Sequence, residues 1–142
     1  MDGFTHVIPM AVRFGDLDAL GHLNNAKYAT YLEQARIQYV TDVCAFGGAW
    51  SDLGMILARI EIDFKAPILY GDKVEIYTRC PRIGSKSFDL EYVITRQSAD
   101  HESPMTAAAS RSVQVAFDYA TQQTIAVPQS WRGAMMTYDH LG

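Results

Sequence analysis

Cysteine is scarce: Cys44 and Cys80 are the only two in 142 residues, and they form neither a CxxC nor a Cys/His cluster. A structural zinc site needs more ligands at closer spacing, so no metal is expected, and two isolated thiols suit a reducing compartment. No run approaches the ~20 apolar residues of a membrane-spanning helix. The start, MDGFTHVIPM, lacks the basic segment and long apolar stretch of a secretory leader, so a cytoplasmic location is expected. Basic residues are outnumbered, 12 Lys and Arg against 16 Asp and Glu, and the net charge of −4 removes the electrostatic ground for nucleic-acid binding. There is no GxSxG, internal repeat, low-complexity segment or linker.

What is present is ordinary globular material, 49% hydrophobic and 20% charged. The length sits near the commonest domain size of roughly 100–150 residues, so one domain over residues 1–142 is expected. Such a domain buries about 68–70% of its unfolded surface and needs no staple.

The clearest element is a helix from Asn24 to about Phe46. Tyr28, Leu32, Ala35, Tyr39, Val43 and Phe46 recur every three or four positions, with Lys27, Thr30, Gln34, Gln38 and Thr41 opposite, and Gly47-Gly48 reads as the stop. Glu33 and Arg36, three apart, read as a local pair or an interface contact. A strand over residues 5–14 precedes the helix. Period-two segments follow: Ala58, Ile60, Ile62 and Phe64; a stretch from Val74 to about Gly84; Phe88, Leu90, Tyr92 and Ile94; and residues 106–119, with Val113, Val115 and Phe117 on one face. Pro67 and Tyr70-Gly71-Asp72 break the chain, residues 97–103 read as a turn, and PQSWRGAMM as a short terminal helix. One strand, a long helix and then four strands describe the α+β class, a helix packed on an antiparallel sheet. Its edges invite a partner, most simply a second copy of the chain.

The polar residues crowd where the long helix begins, in RFGDLDALGHLNNAKY. Asp and Asn are favoured helix N-caps and Gly21 permits a tight turn, but capping uses one such residue, not two acids, an imidazole and two amides. The exposed first-turn N–H groups can hold an oxyanion, and a carboxylate from the preceding loop can act beside it as base or nucleophile. Those are the parts of acyl transfer or hydrolysis. Cys44 lies on the apolar side of the helix, which leaves Asp as the reactive group.

D-L-D-A-L-G-H-L-N-N-A-K-Y followed by Y-L-E-Q-A-R resembles the signature of hot-dog-fold acyl-CoA thioesterases of the 4-hydroxybenzoyl-CoA thioesterase type, and E-I-D-F-K-A-P-I-L-Y-G-D and R-I-G-S-K-S-F extend the resemblance along the chain. The resemblance implies a five- or six-stranded antiparallel sheet wrapped around one central helix, in an obligate homodimer or a dimer of dimers with sites at the subunit interface. It implies an acyl-CoA substrate hydrolysed to acid and CoA, without a cofactor. By position, Asp18 matches the catalytic carboxylate and Asn25 the oxyanion-hole amide, while Asp16 matches the more variable acid. His22 and Asn24 match a G-H-x-N-N form, where aromatic-substrate members carry apolar residues. Ser85, Lys86 and, more loosely, Arg82 match CoA-nucleotide contacts. Tyr28 belongs with the substrate positions, and residues 54–60, with Leu57 and Arg59, would line the acyl pocket from the partner subunit.

Three alternatives use the same fold. A hot-dog hydratase or dehydratase would also pair Asp and His, but its proline before the histidine is missing here. A non-catalytic acyl-CoA-binding module would bind without turnover. An acyl-carrier-protein thioesterase would differ only in the thiol.

Overall fold

A computed structural model describes residues 1–46, 53–100 and 103–141. Its elements are β1 (His6–Met10), α1 (Asn25–Cys44), β2 (Leu53–Phe64), β3 (Lys73–Ile83), β4 (Ser87–Gln97), β5 (Met105–Asp118), β6 (Gln123–Thr124) and α2 (Gln129–Tyr138). The strands form one antiparallel sheet in the order β1-β3-β4-β5-β2, with the two-residue β6 paired to β5. The twelve-residue β2 is therefore an edge strand.

Helix α1 starts where the sequence places it, with Asn24 as N-cap: its side-chain oxygen accepts the amide of Ala26 at 3.0 Å. Its stop differs from expectation. Ala45 takes the left-handed conformation at φ 52° and closes the helix, and Gly47-Gly48 lie outside the described residues. The apolar stripe is core, with Tyr28, Leu32, Ala35 and Tyr39 buried and Tyr31 and Val40 added to it. Arg36 is also buried and belongs to the core, donating to Tyr92 Oη at 3.2 Å, while Glu33 is exposed.

That guanidinium heads a buried polar chain. Tyr92 Oη and Ser112 Oγ are 2.7 Å apart, the Ser112 hydroxyl donates to Gln114, and Gln114 Nε2 donates to the Phe88 carbonyl at 3.0 Å. Its existence inverts a simple reading of β5. Cross-strand neighbours share a face, and Ser112 and Gln114 lie opposite the buried Leu90 and Phe88, so the polar residues point toward the helix. Val113, Val115 and Phe117 face the other way. On that outer face Arg79–Glu91 (2.7 Å), Arg111–Glu91 (3.3 Å), Arg111–Asp89 (2.9 Å) and Arg82–Asp89 (3.4 Å) form a continuous ion-pair lattice.

The two ends of the sheet are finished differently. At one, α2 buries Trp131 and Met135, and the hydroxyl of Tyr39 donates to Asp139, which also accepts the Cys80 amide at 2.9 Å. At the other, the chain from β1 to α1 meets the turn joining β2 to β3: Leu23 N donates to Ile68 O at 2.8 Å, and His22 pairs with Leu69. The candidate site lies at this second end. No helix among the described residues is long and apolar enough to cross a membrane.

Candidate active site

The segment from Asp18 to His22 is a closed loop. Asp18 N donates to His22 O at 2.8 Å and Gly21 N to Asp18 O at 3.1 Å. Gly21 sits at φ +82°, a conformation that side chains disfavour. Asp18 holds the loop from within: Oδ1 accepts the amides of Leu20 (2.9 Å) and His22 (3.2 Å). Its other oxygen has no partner among the described residues. One oxygen fixes the carboxylate and the second remains available for chemistry.

The start of α1 leaves a matching vacancy. The amide of Asn24 donates to Asp16 O at 2.9 Å, that of Ala26 to the Asn24 side chain, and that of Lys27 to Asn24 O at 2.8 Å. Asn25 N–H is the first-turn donor without an acceptor among the described residues. A first-turn amide has no intrahelical partner, and the helix dipole adds positive potential there, so it suits developing negative charge.

Both groups line one open cavity of about 370 Å³, with His22, Tyr28, Phe64 and Lys65 around them. The Tyr28 and Phe64 rings meet edge-on with centroids 4.9 Å apart and make its apolar wall, and burial pushes the Tyr28 phenol upward. Lys65 follows the last residue of β2 and is fixed by its amide, which donates to Ala107 O at 2.8 Å. Its ammonium has no carboxylate partner among the described residues. Sequence reading missed Lys65, because only the sheet topology carries the end of β2 to the start of α1.

Asp16 turns away from this cavity. Its Oδ2 accepts the Tyr31 hydroxyl at 2.6 Å and the Arg13 amide at 3.3 Å, and Lys27 Nζ lies 3.9 Å from Oδ1. The Tyr31 bond, with those weaker neighbours, holds its carboxyl below the usual range. The two acids of D-x-D have separate surroundings.

The remaining sequence candidates lie elsewhere in the protomer. Asn24 is the N-cap itself. Arg59 and Leu57 precede Phe64 on β2 by five and seven residues, about 16 and 23 Å at ~3.3 Å per residue, and both are exposed. Arg82 is exposed and paired to Asp89, and Ser85 and Lys86 are exposed in the β3–β4 turn. The length of β3, about 36 Å for its 11 residues, separates that turn from the Asp18 loop. Both thiols are pushed up to about 12 by burial, so neither is a nucleophile at neutral pH.

Comparison with known proteins follows the geometry. The sequence profile of the family described as the Thioesterase-like superfamily matches residues 12–135. A 1,4-dihydroxy-2-naphthoyl-CoA hydrolase of Synechococcus elongatus is 28% identical over 125 residues, 83% of this chain and 85% of that protein. The long-chain acyl-CoA thioesterase FadM of Escherichia coli is 28% identical over 117 residues, 82% of this chain and 86% of that protein. Among solved structures, a Thermus thermophilus thioesterase complexed with coenzyme A and zinc superposes with a TM-score of 0.84 at 29% identity, covering 100% of this chain and 99% of that one.

Proposed function

The chain belongs to the Thioesterase-like superfamily, and we propose that it is a hydrolase of CoA thioesters that cleaves an acyl-CoA between Asp18 and the open amide of Asn25. The observation that carries this is the pairing, in one cavity, of a carboxylate oxygen and a helix-start donor that have no partner among the described residues. The thioester carbonyl oxygen accepts the Asn25 N–H, with the positive end of α1 behind it. A single such donor is worth about 3 kcal/mol as charge grows on that oxygen. The free oxygen of Asp18 either takes a proton from an attacking water or attacks the carbonyl carbon to give a mixed anhydride. In both routes the C–S bond breaks, CoA leaves as its thiol and one water is consumed: in the base route it adds to the acyl carbon and its oxygen enters the product, and in the other it opens the anhydride at the acyl or the Asp18 carbonyl carbon. Label found in Asp18 after a single turnover in H₂¹⁸O therefore identifies the anhydride route, opened at the Asp18 carbonyl, with an Asp18 oxygen leaving in the product. His22 lines the same cavity and is placed to orient the thioester.

The active unit is a homodimer formed across β2. That strand offers its unpaired edge with Ile56, Leu57 and Phe64 exposed, a template for pairing with another chain. Two-fold antiparallel pairing there sets the Gly54–Leu57 end of one β2 beside the Phe64 end of its mate, and so beside the Asp18 cavity. The same rotation brings the partner's β3–β4 turn, with Ser85 and Lys86, to the site's end of the assembly. Separation of these residues within one protomer is what a shared site requires.

The test is release of free thiol, read with a thiol reagent, from a panel of acyl-CoA and acyl-carrier-protein thioesters. Turnover of an acyl-CoA is expected. Tight binding of every thioester without thiol release, or hydration of crotonyl-CoA in its place, contradicts the proposal.

A further inference from the structure

Resting on the reading of the Asp18 cavity as the catalytic site, we propose that the ion pair of Arg96 and Asp72 positions both halves of the active centre. Arg96 stands near the end of β4, opposite Val74 of β3. Its Nε lies 3.0 Å from Asp72 Oδ2, and its Nη1 donates to the Pro67 carbonyl at 2.9 Å. Asp72 Oδ2 in turn accepts the Leu69 amide at 2.9 Å. One guanidinium therefore touches both ends of the Pro67–Asp72 turn, by a hydrogen bond at Pro67 and by charge contact at Asp72, and the carboxylate holds its middle.

That turn is what the catalytic loop leans on. Ile68, fully buried, accepts the Leu23 amide at 2.8 Å, and Leu69 pairs with His22. From these two residues the chain runs both ways into the site. His22 N donates to Asp18 Oδ1 and His22 O accepts Asp18 N, which sets the carboxylate. Leu23 leads directly to the Asn24 cap and the open Asn25 amide. The carboxylate and the oxyanion donor thus hang from a two-residue bridge, and the bridge hangs from Arg96 and Asp72.

The character of the pair fits this work. Its side chains are 14% and 5% exposed. Removing such charges from water costs about what their attraction returns, so a buried pair is a weak source of stability, and its best-attested use is to fix one geometry. Geometry is what this centre needs, because a displacement near 1 Å can cost about 10²-fold in rate.

The experiment compares Arg96→Lys, Asp72→Asn and Asp18→Asn with the unaltered chain. It measures kcat and KM on an acyl-CoA that the unaltered chain hydrolyses, the pH profile of kcat/KM, and urea stability. Lysine keeps the charge but loses the fork that reaches Pro67 O; asparagine keeps the Leu69 acceptor but loses the charge. Each is expected to lower kcat by about 10- to 100-fold, to leave KM within a factor of two, and to change the shape of the pH profile. A variant combining Arg96→Lys with Asp72→Asn is expected to be no worse than the poorer of the two singles, because the two residues act as one device. Variants that lose stability yet keep kcat and the original pH profile overturn the proposal. So does a change confined to KM. An unaltered chain that cleaves no acyl-CoA, or an Asp18→Asn variant that remains fully active, defeats the reading of the cavity instead, so the two failures are distinguishable.

Discussion

The Tyr31 hydroxyl donates to Asp16 at 2.6 Å, and this contact gives the two aspartates of the opening motif different surroundings. Asp16 is spent on tying the loop to the side of α1, while Asp18, two residues on, faces the cavity. The identical spacing of the acids in sequence hides this division, because it depends on which one meets a tyrosine fifteen positions later.

The division has a pH signature. The folded-state carboxyl of Asp16 is held below its ordinary value, so its contribution is complete above the unfolded value near 3.8 and fades as pH falls through the lower folded one. Asp42, lowered through its bond to His6, behaves in the same sense. Tyr31→Phe is expected to shrink the Asp16 part of the acid-limb dependence. Urea titrations at pH 3 and pH 6 check it: the variant loses more stability, relative to the unaltered chain, at the higher pH.

The buried chain from Arg36 to Gln114 gives a second prediction. Tyr92→Phe removes a hydroxyl that accepts from Arg36 and pairs with Ser112; Ser112 keeps its bond to Gln114, so the buried group that loses its acceptor is the Arg36 guanidinium. Such a loss costs about 1–3 kcal/mol. The midpoint of chemical denaturation is expected to fall accordingly, with an unchanged slope.

The β2 edge supplies a third. Leu57→Lys introduces charge where the pairing surface is exposed and apolar, and it leaves the fold of the protomer intact because Leu57 is 41% exposed. Sedimentation is expected to show monomer at micromolar concentrations, and activity is expected to fall in parallel under the proposed shared site. A variant that stays dimeric, or an active monomer, contradicts the arrangement.

Lys65 provides a fourth. It is an exposed ammonium in the proposed active-site cavity and is expected to serve binding of an anionic thioester. Lys65→Ala is expected to raise KM roughly two- to fivefold with kcat nearly preserved, the scale of a solvent-exposed charge pair worth up to ~1 kcal/mol. Steady-state kinetics at two ionic strengths check it: high salt narrows the difference.

Much of this was legible in the chain itself. The i, i+3, i+4 stripe and Asn24 place α1 at its observed start, and period-two alternation locates β2 to β5 because both patterns follow from local geometry. Alternation does not say which face is inside. On β5 the valines look like core and Ser112 and Gln114 like surface, yet a tyrosine on β4 and an arginine on α1 satisfy the polar pair inside. Lys65 and the Arg96–Asp72 pair were invisible for the same reason, since they reach the site through strand order. The cluster of Asp18, His22 and Asn25 around one cavity, by contrast, was legible in the density of polar groups before a helix, which capping alone does not require.

The central claim is that Asp18 supplies the reactive carboxylate, and Asp18→Asn tests it most directly. Asparagine keeps the Oδ1 acceptor for Leu20 and His22, so the loop and the fold are retained. Measured on the acyl-CoA that the unaltered chain hydrolyses, kcat is expected to fall by about 10²–10⁴-fold with the melting temperature little changed. A variant that folds and still turns over at the original rate would remove Asp18 from the chemistry and contradict the account.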